Sequence, residues 1–371
     1  MYKRVGCIAF LIFLALHSIL KSETFKLFPE GKIRLEEKLN PVLYAAGFII
    51  SEDNGILVFD GKDEEHPFKI YDHLGRLIKH WGRIGPGPDE FGAAFPMTYE
   101  KPFLAFIDPP NHKIFIYQIS LDYDFKKMNE FPWVAFAPGI TINNHRLILA
   151  SFVRSREGKD YSLVLKDFQN KHTEYLLPTY QLYGYSSEGE YNDKHLSEIA
   201  PISGAFLFID SFGDTLFMIS QAKLMIIKLN LRTKKLAYFG QETKNYHHPL
   251  TWEIKKAYSK AVDLKNGKDL TRLLDELSWI SGLFASRDFV GVLYINPDKA
   301  TGLWRVFLHL YAPEGKFIKE MELVDSFSFE RFLYYYFDKN SRLLYIMSKW
   351  IDEKESIEKQ HINKYRITLA E

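Results

Sequence analysis

A single cysteine stands in 371 residues, Cys7, and it lies inside an apolar N-terminal stretch. Without that stretch the chain has no thiol, which excludes a disulfide framework and a cysteine nucleophile. Charge of one sign is lacking too: 48 basic residues face 47 acidic ones, for a formal net charge of +1. A dedicated electrostatic grip on nucleic acid or on an anionic membrane surface is therefore not expected. No Gly-x-Ser-x-Gly nucleophile element occurs, and no glycine-rich loop leads into Lys-Ser or Lys-Thr for a phosphate. Stability must come from core burial, and aromatics at 16% of the chain, 30 Phe and 22 Tyr among them, supply broad side chains for it.

At the N-terminus Lys3 and Arg4 precede an apolar stretch from Val5 to Leu20, broken only by Gly6, His17 and Ser18. This charge order and length read as a secretory signal over residues 1–22, and the run falls short of the ~20 predominantly apolar residues of a membrane span. Export to a periplasmic or extracellular site is expected, with anchoring by an uncleaved segment as the alternative and the one route to a membrane. Cys7 begins the apolar run instead of following it, which argues against lipid modification. Residues 23–371 then read as one domain and a monomer.

Within that domain a phrase recurs six times: an apolar run, a tight polar turn, two further apolar runs, and a basic strand leaving through a loop. The clearest copy is Phe48-Ile49-Ile50, Asp53-Asn54-Gly55, Ile56 to Asp60, Phe68 to Asp72, His73-Leu74-Gly75 and Arg76 to Gly82. Four-stranded antiparallel units repeated at a period of tens of residues predict an all-β fold, a six-bladed β-propeller. Later copies begin near Pro96, Gly139, Ala205, Gly282 and Phe332. The sixth is one strand short, and the alternating segment Lys32 to Leu39 is expected to complete it by pairing with the C-terminal strand, which removes exposed edges. Two segments break the rhythm. Thr251 to Trp279 places Ile254, Ala257, Tyr258, Ala261, Val262, Leu270, Leu273, Leu274 and Leu277 at helical spacing around Asn266-Gly267, predicting a helical hairpin (251–279) between the fourth and fifth blades. Pro178 to Pro201 is long, polar and tyrosine-rich, and reads as a loop.

In such a meander the turns joining strands one to two and three to four fall on one face of the disc. The second face receives the other connections, and here these are the long ones: 61–67, 83–95, 154–160, 178–201, 241–278, 296–302 and 349–361. Long loops on a rigid scaffold are usually functional. The expected binding surface is this face around the channel mouth, with Arg83, Tyr183, Tyr185, Tyr191 and Trp252 as contact residues, because arginine and aromatics anchor interfaces.

The run Trp81-Gly82-Arg83-Ile84-Gly85-Pro86-Gly87-Pro88-Asp89-Glu90-Phe91, followed by Pro96, resembles the blade-to-blade passage of bacterial six-bladed β-propellers related to NHL repeats. Ile107-Asp108, Asn111-His112-Lys113-Ile114 and Tyr117 are similar to the NHL pattern in the second blade. That resemblance implies the fold and blade count, and a family whose members bind proteins or carbohydrates and occasionally catalyse reactions.

Other candidates read as structural. The glycines 82, 85 and 87 fit a tight strand passage, with Arg83, Asp89 and Glu90 left over for contact. Asp108 and Asn111 fit a hydrogen-bonded turn. The neighbours His247 and His248 point to opposite sides of an extended segment and have no third ligand at metal spacing, so no metal and no cofactor is expected. Glu52, Asp210 and Asp338 fall in or near hairpin turns. Two functions follow: a module recognising protein, peptide or glycan, or a metal-dependent hydrolase or lyase with one ligand per blade around the channel.

Overall fold

A computed structural model describes residues 25–36, 42, 44–51, 53–87, 90–132, 139–155, 157–170, 172–178, 207–220, 224–247, 277–323, 333–352 and 357–369. After β1 (Phe25–Arg34), blade one is β2 (Ala45–Ile50), β3 (Ile56–Asp60), β4 (Phe68–Tyr71) and β5 (Leu77–Trp81). Blade two is β6 (Met97–Glu100), β7 (Phe103–Asp108), β8 (Lys113–Ile119) and β9 (Phe125–Pro132). Blade three is β10 (Gly139–Asn143), β11 (Arg146–Arg154), β12 (Asp160–Asp167) and β13 (Thr173–Pro178). Blade four is β14 (Leu207–Phe212), β15 (Thr215–Ser220), β16 (Ile226–Asn230) and β17 (Leu236–Phe239). Blade five is β18 (Trp279–Ala285), β19 (Val290–Asp298), β20 (Leu303–Tyr311) and β21 (Phe317–Glu322). Blade six is β22 (Tyr335–Asp338), β23 (Leu343–Asp352) and β24 (Ile357–Leu369), with β1 as its outer strand. All six sheets are four-stranded antiparallel, so the protein is an all-β six-bladed propeller.

The strands look uniformly apolar because both of their faces are buried. In β3, Leu57 and Phe59 pack towards blade two, whereas Ile56 and Val58 pack towards blade six. The same alternation around the ring gives six apolar cores among the described residues, one between each pair of neighbouring blades. Between blades one and two the core is rich in aromatics: Trp81 stacks on Phe125 at 4.0 Å and 9°, and Phe68 packs against Phe91 and Phe106. Tight turns take the residues their dihedrals demand. Asn144 and His145 both have positive φ (49° and 60°), which suits a two-residue hairpin turn with the twist of its strands.

Two expectations are corrected, together with the C-terminal bound of a third. Ring closure is made by an N-terminal strand on the C-terminal one, as expected, but the strand is Phe25–Arg34, in register from Phe25↔Leu369 to Arg34↔His361, and shares only Lys32 to Arg34 with the expected segment. Its anchor is Phe25, 1% exposed, with its ring edge-on to Phe289 at 5.2 Å. The connection at 349–361 is largely ladder: pairing continues from Ser348↔His361 to Asp352↔Ile357, because a polar hairpin can keep its backbone bonds beyond the apolar core. For the helical hairpin, residues 251–276 lie outside the described residues; Trp279 opens β18, and the described residues contain no helix. The expected signal, residues 1–22, also lies outside them, and among the described residues no helix is long and apolar enough to cross a membrane.

Candidate functional site: the central channel

The first strand of each blade, β2, β6, β10, β14, β18 and β22, contributes residues to a central cavity of about 580 Å³. Each of these strands starts at the long-connection face and ends at a tight turn, so the cavity spans the disc. Its walls mix rings (Tyr99, Phe208, Trp279, Tyr334, Tyr335, Tyr336) with polar groups (Thr98, Glu100, Lys101, Asp210, Lys339).

Asp210 acts as a hub rather than as a turn former. One oxygen accepts from the Ala285 amide of blade five at 2.8 Å, and the other lies 2.7 Å from Lys339 Nζ of blade six. Thr141 of blade three donates to it at 3.4 Å, and Lys339 also donates to the Ser211 carbonyl at 2.7 Å. Inner strands of neighbouring blades do not pair with one another, so side chains must bridge them, and one carboxylate here bridges four blades. Tyr335 does the same between blades five and six. Its hydroxyl donates to the Leu283 carbonyl at 2.7 Å and accepts from the Leu283 amide at 2.9 Å, imitating a ladder rung. Gly282 makes room for it, since a Cβ there would lie 2.5 Å from the Tyr335 ring. Burial raises the Tyr335 phenol well above the usual range. Burial first, and then Asp338, do the same for Tyr336.

Asp338 caps its own turn, accepting from the Asn340 amide at 2.9 Å and the Ser341 hydroxyl at 2.6 Å, as its position in the sequence suggests. Glu52 lies outside the described residues. Asp108 accepts from the Gly92 and Ala93 amides and from Asn111 Nδ2 at 2.8 Å, and Asn111 donates to the Gly85 carbonyl at 3.1 Å. The reading of Asp108 and Asn111 as a stitched turn therefore holds, and it recurs. Asp60 of blade one accepts from the Tyr44 and Lys62 amides, with Lys69 buried against it at 2.8 Å. Asn296 of blade five donates to the Asn245 carbonyl and accepts from Ser278. The same position, at or near the end of the second strand, fastens the incoming connection in three blades.

Of the five predicted contact residues the structure describes one. Arg83 is exposed on 72% of its side chain and lies 3.4 Å from Glu90. It follows Gly82, whose φ of +87° and closeness to the Phe91 ring leave no room for a side chain. Glu90 also accepts from the Gly87 amide at 3.0 Å, so the glycine-rich passage is closed by its own carboxylate. Tyr183, Tyr185, Tyr191 and Trp252 lie outside the described residues, as does His248.

Sequence reasoning missed a second polar cluster, on blade five. Glu320 accepts from Thr243, from Asn245, from Tyr294 at 2.8 Å and from His309 at 2.7 Å. Burial alone would raise the Glu320 carboxyl, but these four donors outweigh it and hold it at about 2. Burial lowers the fully enclosed His309 below the usual histidine range despite the carboxylate. The cluster pins 241–247, the start of the long fourth connection. Its sequence signal is a histidine within the apolar run Val306 to Tyr311. Among the described residues no group of three His, Cys, Asp or Glu side chains is placed to hold a metal ion.

No protein-family model matches the chain, and no curated protein matches it. Solved structures do. An exported protein of Bacteroides fragilis aligns over 94% of this chain and 96% of its own, with a TM-score of 0.56 and 13% identity. The WD40 repeats of RRP9 align over 92% of this chain and 100% of theirs, with a TM-score of 0.50 and 10% identity. At these identities the likeness is one of fold, and it agrees with the propeller seen here.

Proposed function

We propose that the chain is an exported recognition module that binds a protein, peptide or glycan at the channel and on the long-connection face around it. The observation that carries this reading is the channel itself: a cavity of about 580 Å³ with aromatic and polar walls, within the range of ligand sites. Export is supported by the charge and apolar order of residues 1–22 and by the name of the Bacteroides fragilis neighbour. Kinship with NHL-repeat propellers is supported by the Asp108 and Asn111 stitch of blade two. Arg83, Tyr183, Tyr185, Tyr191 and Trp252 remain the proposed contacts on the loop face.

The rival, a metal-dependent hydrolase or lyase, needs free carboxylates at the inner strand ends. Asp210 and Asp338 point the other way, because their oxygens are already taken by amides, a hydroxyl and Lys339. The test is to measure metal content on the purified protein and then screen it for binding against peptide and oligosaccharide arrays. A ligand bound by metal-free protein supports recognition. Stoichiometric metal that is needed for hydrolytic or lyase activity overturns it.

A further inference from the structure

We infer that the channel takes a neutral polyhydroxylated ligand, an oligosaccharide, in preference to a charged one; this rests on the recognition reading and names its ligand class.

Three observations on the walls lead there. First, the charges nearly balance: three carboxylates, of Glu100, Asp210 and Asp338, stand with two ammonium groups, of Lys101 and Lys339. Asp210 is matched by Lys339 at 2.7 Å, and Glu100 is followed directly by Lys101 on the opposite wall. Asp338 is turned into its own turn. A strongly charged ligand would find no cluster of charges of one sign and would lose hydration for little return. Second, polar groups are left over. The Tyr336 hydroxyl and the side chains of Thr98, Glu100 and Lys101 have no hydrogen-bond partner among the described residues, yet all four line the cavity. Together they present both donors and acceptors. A sugar hydroxyl is donor and acceptor in one atom and can serve any of them. The Tyr336 phenol is held protonated by burial and by the nearby carboxylates, so it stays a donor across the physiological range. Third, the aromatic residues Phe208, Trp279 and Tyr336 line the cavity. The negative face of an aromatic quadrupole attracts the weakly positive C–H face of a pyranose, which a peptide chain does not offer in the same continuous form.

The test uses Tyr336→Phe and Glu100→Gln, each of which removes one unpartnered group and leaves the interblade ties intact. Purified protein is titrated calorimetrically with neutral hexose oligosaccharides, with uronic-acid oligosaccharides and with peptides that score on an array. The expected result is binding of a neutral oligosaccharide that weakens at least about fivefold in each variant, the worth of one hydrogen bond, at unchanged melting temperature. Channel-dependent binding of only an acidic sugar or a peptide overturns this inference and leaves the recognition module standing. Neutral-sugar binding unmoved by either variant overturns the channel as its site, and with it this inference, while the recognition reading would then rest on the loop face. No binding to any neutral oligosaccharide overturns the inference.

Discussion

Lys339, in the turn after β22, reaches past blade five to hold Asp210 of β14 at 2.7 Å. The pair joins blades that are not neighbours, and with the Ala285 amide and Thr141 it ties four blades around the channel into a single bonded unit. Replacing Lys339 with methionine leaves the carboxylate facing the cavity without its cation. Since Lys339 is about one-third exposed, the loss is discounted for screening to about 1 to 2 kcal/mol, to be read by chemical denaturation. An unchanged midpoint would show that the pair does not tie the ring.

Closure by the N-terminal strand makes a stronger prediction. Phe25→Ala removes a ring that is 1% exposed and packed between blades five and six, and should cost about 3 to 5 kcal/mol. Deleting residues 25–34 should do more, because β24 then becomes an open edge. Melting and sedimentation of both variants check this. A truncated protein that melts with the parent and stays monomeric would remove β1 from the role of ring closure.

The Glu320 cluster gives the pH dependence. A carboxyl held at about 2 in the fold stabilises the native state above its ordinary range, and that stability is lost as pH falls towards 2. His309, whose pKa is depressed, acts in the same direction: its stability is present above the ordinary histidine range and is lost on acidification. Stability should therefore decline steadily below about pH 6.5, from the unperturbed histidine value downwards. Glu320→Gln should cost on the order of 2 kcal/mol at neutral pH and flatten the acid limb of the curve. An acid limb identical to the parent's would mean that other carboxylates govern it.

The long fourth excursion is pinched at its neck. The His247 amide donates to the Ser278 hydroxyl at 2.8 Å, and the Ser278 amide donates to the His247 carbonyl at 3.1 Å. The two ends already meet, so replacing 249–276 with a short Gly-Ser linker should leave the disc folded, with its melting temperature shifted by only a few degrees. Differential scanning calorimetry decides. Loss of the cooperative transition would mean that the excursion is part of the core.

How much of this was legible follows from where the signals lie. Apolar runs punctuated by Asp53-Asn54-Gly55 or Asn143-Asn144-His145 are local, and local chemistry set the blade count and most strand positions. Asp108 and Asn111 could also be read, because their partners are close in sequence or within one connection. The closing strand was placed too far downstream because Phe25 to Arg34 shows weak alternation, being mostly exposed on an outer edge. The channel was not legible in its particulars. Asp210 finds Lys339 across 129 residues, and Tyr335 finds Leu283 across 52, and no spacing rule connects them.

Arg83 tests the loop face separately from the channel. Its side chain is 72% exposed and its ion pair with Glu90 is long at 3.4 Å, so that pair contributes little to stability. Arg83→Ala should leave the melting temperature nearly unchanged, within about 0.5 kcal/mol. If the long-connection face recognises the ligand, this substitution and alanine at Tyr183, Tyr185, Tyr191 or Trp252 should weaken binding by more than about 1 kcal/mol at two or more sites, as anchors of an interface do. The comparison that matters is with Tyr336→Phe. Ligand held only in the channel responds to Tyr336 and not to Arg83; ligand spread over the loops responds to both. Melting temperatures that fall together with affinity at the four aromatic positions would assign those rings to packing the loops on the disc. Arg83, with no core to lose, would then be the surviving probe of that face.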